Sequence, residues 1–315
     1  MQHLGSKWPE PVTFVAATSF SYMSPSEPTS IRVEARGVDF HCLTLGDGPL
    51  ALLLHGFPDS AHSWRPLMDR LANAGWRAVA PFMRGYAPTA IPADGCFQTA
   101  ALAADAVALH EVLGGDGNAV VIGHDWGAPA AYGAALLAPE RWRRVVGMAV
   151  PPGPAIGAAL VGNLNQLKRS WYMFFFQHPL SDMVVSANDL AYIDMLWSDW
   201  SPGFNGAEAV AATKNALRDP KNLAAALGYY RATLGDGKKD PRLADLQGRM
   251  GSETPTQPLL YLHGVNDGCI GREVAEFAAT TSPATVDVRL VEGAGHFLQL
   301  EQPNAVAEHV LGWIS

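Results

Sequence analysis

Downstream of residue 30, short apolar runs alternate with longer segments whose apolar positions recur every three or four residues. The runs at 31–35, 38–45, 51–54, 77–80 and 119–122 have strand length and strand composition. Helical spacing predicts helices over 60–73 and 99–113, with a further one at 128–138. A run at 144–150 continues the pattern, which then stops and resumes at 259–262. A helix near 272–280, a strand at 286–291 and a last helix from 303 to 313 complete the chain. Strand and helix in alternation predict an α/β fold: a mostly parallel, twisted sheet with helices on both faces.

The interruption, residues 151–255, is rich in aromatics, including Trp171, Tyr172, Phe174, Phe175, Phe176, Tyr192, Trp197, Trp200, Tyr229 and Tyr230. It has the look of an inserted helical lid over an apolar pocket. The expected organisation is an N-terminal extension (1–30), a core built from 31–150 and 256–315, and a helical cap at 151–255. Within the extension, the apolar stretch 12–20 follows Pro9, Glu10 and Pro11, with Lys7 the one lysine or arginine before it, a poor match to a signal peptide. No segment reaches the roughly 18 unbroken apolar residues that a membrane span needs.

Composition narrows the function classes. With 48% hydrophobic and 17% charged residues among 315, the chain can bury a large core and is far from the composition of disorder. A net charge of −8 and no basic run argue against nucleic acid as a partner. Cys42, Cys96 and Cys269 are odd in number and have no CxxC spacing, so neither a disulfide framework nor a zinc site is expected, and a cytoplasmic location fits. No histidine follows His110-Glu111 at zinc-ligand spacing, and no phosphate-binding glycine loop follows a strand. No cofactor or metal is expected, and the oligomeric state is left open.

Four motifs carry chemistry. In Gly123-His124-Asp125-Trp126-Gly127, a strand runs into a turn with Asp125 at its centre and then into a helix of small residues. This is the form of a nucleophile elbow with a carboxylate where serine is common. A carboxylate attacking an ester carbonyl would form an anhydride, whereas attack on saturated carbon forms an ordinary ester that water can cleave. The bland alternative is an aspartate capping the next helix. His55-Gly56-Phe57-Pro58, after the strand at 51–54, is where one oxyanion amide is expected. Phe57 N–H and the N–H of Trp126 would form that hole. Gly293-Ala294-Gly295-His296 places His296 on a loop at a strand's C-terminal end, as a base would sit. Asp267, on the loop after the strand at 259–262, completes the chain order nucleophile, acid, histidine; otherwise it closes an Asx-turn.

Together HGFP, GHDWG, the inserted lid, GVND and GAGHF resemble the α/β-hydrolase enzymes that include epoxide hydrolases and haloalkane dehalogenases, over residues 31–315. Phe57 after the glycine resembles epoxide hydrolases; the dehalogenases usually carry asparagine there. Ser170-Trp171-Tyr172 and Gly228-Tyr229-Tyr230-Arg231 resemble the lid segments that supply two ring-opening tyrosines, which implies that role for Tyr172 and Tyr230, with Tyr229 the candidate if the helix register differs. A phenol is a suitable acid because it stays protonated at neutral pH. Simple lid packing is the alternative for both tyrosines. Trp126, Phe57, Trp171 and Phe175 are expected to line the pocket, Trp126 either as indole donor or as apolar wall. Arg84 of the Arg84-Gly85-Tyr86 segment is expected in a structural salt bridge.

The resemblance thus implies hydrolysis of a small apolar epoxide by water, through an ester on Asp125 resolved by His296 and Asp267. A dehalogenase using Asp125 and His296, and a non-catalytic binding protein of the same fold, are the alternatives.

Overall fold

The structure is a computed structural model, and it describes residues 27–315. The apolar stretch at 12–20 and nearly all of the expected extension lie outside the described residues.

Among the described residues eight strands form one sheet: β1 (Thr29–Ala35), β2 (Val38–Leu45), β3 (Leu50–Leu54), β4 (Arg77–Pro81), β5 (Val120–His124), β6 (Arg144–Met148), β7 (Leu259–Gly264) and β8 (Val286–Val291). Their order is β1-β2-β4-β3-β5-β6-β7-β8. The five pairs from β4 to β8 in that order are parallel, whereas β2 runs antiparallel to both of its neighbours, β1 and β4, at one edge. The central strands β3, β5 and β7 are buried along their full length, which is why they read as unbroken apolar runs rather than alternating ones.

Three helices separate the strands up to β6: α1 (Arg65–Asn73), α2 (Thr99–Val112) and α3 (Gly127–Leu137). The helix expected from residue 60 divides in two. Ala61–Trp64 is a 3-10 turn, and α1 starts at Arg65 with a proline in its first turn, where the missing N–H is no loss. β6 stops at Met148, two residues short of expectation, because Ala149 takes φ 66° and turns the chain out of the sheet.

Between β6 and β7 the chain forms α4 (Ala155–Gly162), α5 (Leu164–Arg169), α6 (Trp171–Phe175), α7 (Leu180–Trp200), α8 (Ala207–Leu217), α9 (Pro220–Leu234) and α10 (Ala244–Met250). α7 breaks at Ala187–Leu190, where Asn188, Asp189 and Leu190 have positive φ. α11 (Arg272–Thr281), α12 (Leu298–Glu301) and α13 (Pro303–Ile314) finish the fold. Among the described residues no helix is long and apolar enough to cross a membrane. Arg84 is buried beside the core, paired with Asp105 and Asp94, as its loop position suggested.

Candidate active site

Parallel strands deliver their C-terminal ends to one edge of the sheet, and the loops after β3, β5, β7 and β8 meet there. β5 ends at His124, and the next residue, Asp125, has φ 51°, a conformation uncommon for a residue with a side chain. The turn is tight. A Cβ on Gly127 would lie 1.9 Å from the Leu54 carbonyl oxygen, so only glycine lets α3 start against β3. A Cβ on Gly56 would lie 2.2 Å from Asp125 Oδ1 and 2.5 Å from Trp126 N, which places those two atoms side by side.

Phe57 N–H donates to Asp125 Oδ1 at 2.7 Å. Trp126 is the N-cap of α3, so its own N–H belongs to the helix end where partial positive charge collects. Asp125 Oδ2 faces His296 Nε2 at 3.6 Å, and His296 Nδ1 bonds Asp267 Oδ2 at 3.0 Å. Asp267 Oδ1 accepts the N–H groups of Cys269 (2.7 Å) and Ile270 (3.0 Å). The structure therefore brings Asp125, His296 and Asp267 into one buried line.

Burial works against a charged imidazole, but Asp267 and Asp125 on either side outweigh it, and His296 is pushed up to about 10. Burial would raise the Asp267 carboxyl as well; His296 and the backbone donors prevail and hold it below the ordinary range. The backbone of His296 is pinned from below by His124 Nε2, which donates to its carbonyl at 2.9 Å, and from above by the Trp200 carbonyl, which accepts the His296 N–H at 3.0 Å. His124 Nδ1 lies 3.5 Å from the buried carboxylate of Asp59.

Over Asp125 lies a cavity of about 270 Å³, bordered by Trp126, Tyr172, Tyr230, Cys269, Met173 and Leu160 among others. Burial pushes the phenols of Tyr172 and Tyr230 well above their ordinary value, with Asp125 acting in the same direction, so both stay protonated. Tyr172 Oη is 3.3 Å from Cys269 Sγ. The Tyr230 hydroxyl and the indole Nε1 of Trp126 are buried at the cavity, and the Tyr230 hydroxyl lies close to that indole and to the Tyr172 hydroxyl. Tyr229 is turned away from the cavity, its hydroxyl donating to the Arg84 carbonyl at 2.8 Å.

Three expected pocket residues sit elsewhere. Trp171 is 47% exposed and Phe175 partly so, and neither borders the cavity. On the short α6, positions four apart share a face. Tyr172 and Phe176 occupy the buried one, which leaves Trp171 and Phe175 together on the adjoining face against Tyr192. Phe57 offers its N–H but not its ring, which packs on Phe176 and Tyr230 rather than facing the cavity.

Cys269 and Gln166 were not foreseen at the site. Cys269, two residues after Asp267, had that spacing as its only signal; Gln166 had none. Among the described residues one group has metal-ligand potential, Asp267, Cys269 and His296, with ligand atoms within 4.8 Å of one another. Asp267 and His296 already satisfy each other, and burial pushes the Cys269 thiol well above its ordinary value, the reverse of what thiolate ligation needs. The set fits an acid–base pair better than a metal centre.

An inward carboxylate at a strained strand-to-helix turn, backed by a histidine–carboxylate pair, is an arrangement suited to hydrolysis on an α/β sheet. The model of the alpha/beta hydrolase fold matches residues 49–303, and the chain belongs to that family. Within it the chain is epoxide hydrolase-like. It is 28% identical over 313 residues to an epoxide hydrolase of Caballeronia sordidicola, covering 90% of this chain and 92% of that protein. It is 27% identical over 319 residues to epoxide hydrolase A of Mycobacterium tuberculosis, covering 91% and 98%. Among solved structures, an epoxide hydrolase from an endophytic Streptomyces superposes with a TM-score of 0.74 at 26% identity, covering 91% of this chain and 95% of that one.

Proposed function

We propose that the protein hydrolyses a small, largely apolar epoxide to a vicinal diol through an ester on Asp125. The observation that carries this reading is one cavity bordered by a carboxylate at an elbow tip and, with it, by two protonated tyrosines. Displacement of a halide needs no such acid.

In the resting site Asp125 is a carboxylate and His296 an imidazolium, the pairing that the about 10 of His296 implies. Asp125 Oδ2 attacks a ring carbon, the C–O bond breaks, and the ring oxygen takes a proton from Tyr172 or Tyr230. The phenolate regains its proton from His296, because a buried phenolate is disfavoured. Once Asp125 is an ester, its charge no longer favours the imidazolium, and neutral His296 can act as base.

Water then gives a proton to His296 and attacks the Asp125 ester carbon. The oxyanion forms where Oδ1 sits, against the N–H groups of Phe57 and Trp126. Collapse breaks the ester C–O bond to the alkyl oxygen. His296 passes a proton to that oxygen and takes one from the restored Asp125 carboxyl, so the resting ion pair returns and a diol leaves.

The deciding experiment exposes a His296→Gln variant to styrene oxide and separately to 1-bromobutane, and measures intact protein mass. A gain of the whole epoxide mass, abolished by adding Asp125→Ala, is expected. The indole N–H of Trp126 beside the cavity supports a second reading, halide displacement, for which a butyl gain alone would be the sign. No adduct from either reagent would sink the carboxylate-nucleophile reading for these substrates.

A further inference from the structure

We propose that Gln166 and Cys269 form a clasp that sets the Tyr172 hydroxyl against the Asp125 end of the cavity, making both positioning residues for ring opening. The inference rests on the epoxide reading above.

Cys269 makes three contacts at once. Its N–H donates to Asp267 Oδ1 at 2.7 Å, its carbonyl accepts from Gln166 Nε2 at 3.0 Å, and its sulfur meets Tyr172 Oη at 3.3 Å. The turn that fixes the acid of the triad therefore also fixes the tyrosine. Gln166 supplies the other half. It lies on α5, fully buried, and its amide is satisfied by groups from two parts of the chain. Nε2 donates to Ser170 Oγ (2.9 Å) as well as to the Cys269 carbonyl, and Oε1 accepts the Gly271 N–H (2.8 Å). Ser170 is the N-cap of α6, the helix that carries Tyr172 two residues later. One side chain thus registers the start of that helix against the loop of Asp267.

The choice of sulfur has a chemical consequence. A thiol is a weak donor and a weak acceptor. It keeps the phenol aimed, yet surrenders the O–H to a ring oxygen at little cost. The hydrogen bond of the Cys269 thiol goes to Tyr172, while ester hydrolysis runs on His296, Asp267 and the amides of Phe57 and Trp126, and the Cys269 N–H that holds Asp267 survives a change of side chain. Loss of the thiol should slow ring opening and spare ester hydrolysis.

Single-turnover experiments on the full chain with styrene oxide, quenched in acid and read by intact mass, follow ester formation and decay separately. Cys269→Ala is expected to slow ester formation about 3–10-fold, the worth of one modest hydrogen bond, with ester decay within about two-fold of the parent. Cys269→Ser should restore formation to within about two-fold, since a hydroxyl can again hold the phenol. Gln166→Met should slow formation by about 10–100-fold through misplacement of α6. The Cys269 pair tests the clasp even where the glutamine variant does not fold. Ester formation at the parental rate in Cys269→Ala, an equal fall in both steps, or a serine variant as slow as alanine would overturn the clasp while leaving the epoxide reading intact. A parent that forms no Asp125 ester would overturn both.

Discussion

Replacing Tyr230 by phenylalanine should separate stability from catalysis. The Tyr230 ring is held on all sides: Trp126 at 4.9 Å between ring centroids, Phe176 at 5.0 Å, Phe57 at 5.5 Å and Tyr172 at 5.7 Å. Phenylalanine keeps every one of those contacts. What it removes is a buried hydroxyl at the cavity wall, close to the Trp126 indole and the Tyr172 hydroxyl. With the packing retained, losing those weak polar contacts should change stability by no more than about 1 kcal/mol, or roughly 2 °C in Tm for a chain of this size. Ring opening should fall at the same time, by about 10²-fold, the lower end of general acid catalysis because Tyr172 remains. Thermal unfolding and single-turnover ester formation with styrene oxide measure the two effects on one preparation. Tyr172→Phe is the control: it loses its 3.3 Å contact to Cys269, so its Tm should drop further, while ring opening also slows. A fall in Tm of many degrees in Tyr230→Phe would show that the hydroxyl carries a strong hydrogen bond in the resting state, and an unchanged rate of ester formation would refute its role as acid.

Gly56→Ala places a methyl group 2.2 Å from Asp125 Oδ1 and 2.5 Å from Trp126 N. Disturbing the oxyanion amides in this way should slow ester decay by about 10²–10³-fold, seen as accumulation of the adduct in intact-mass time courses. His296, raised from 6.5 to about 10, contributes stability that is present in full below pH 6.5 and lost as the pH rises through about 10. Urea denaturation at pH 6.5 and 9.5 should show that loss, smaller in Asp125→Asn because one of the two carboxylates is gone; an equal loss in both would rule out Asp125 as a contributor. Arg84→Met leaves the buried Asp105 with Arg36 as its remaining ion-pair partner and should cost about 3–5 kcal/mol in denaturant titration, with the activity of the folded fraction retained.

How much of the molecule the sequence determines differs between fold and site. Every expected strand forms, within a residue or two at its ends, and the fully buried β3, β5 and β7 were the plainest, because an apolar run buried on both faces has few other uses in a parallel sheet. The elbow was equally legible: glycine, aspartate and glycine at fixed spacing between a strand and a helix leave Asp125 at the tip, and local sterics enforce it. The loop positions of Asp267 and His296 followed from strand ends in the same way, although the 3.0 Å contact between them joins residues 29 apart.

The helical segment over the sheet was different. Sequence spacing on a helix establishes which residues share a face, but not which face turns inward, since that rotation is set by packing against elements far along the chain. Hence Tyr172 and Tyr230 border the cavity while Trp171, Phe175 and Tyr229 do not, a division that aromatic content alone could not make. The same holds for the residues that brace the site. Gln166 meets Cys269 and Gly271, His124 meets the carbonyl of His296, and the Trp200 carbonyl meets the His296 N–H, each across roughly a hundred residues or more of intervening chain. Local patterning by itself determined the sheet, the turn and the chemistry available to Asp125. Tertiary packing decided which side chains surround that carboxylate, because such contacts depend on the relative placement of elements whose own sequences carry no record of one another.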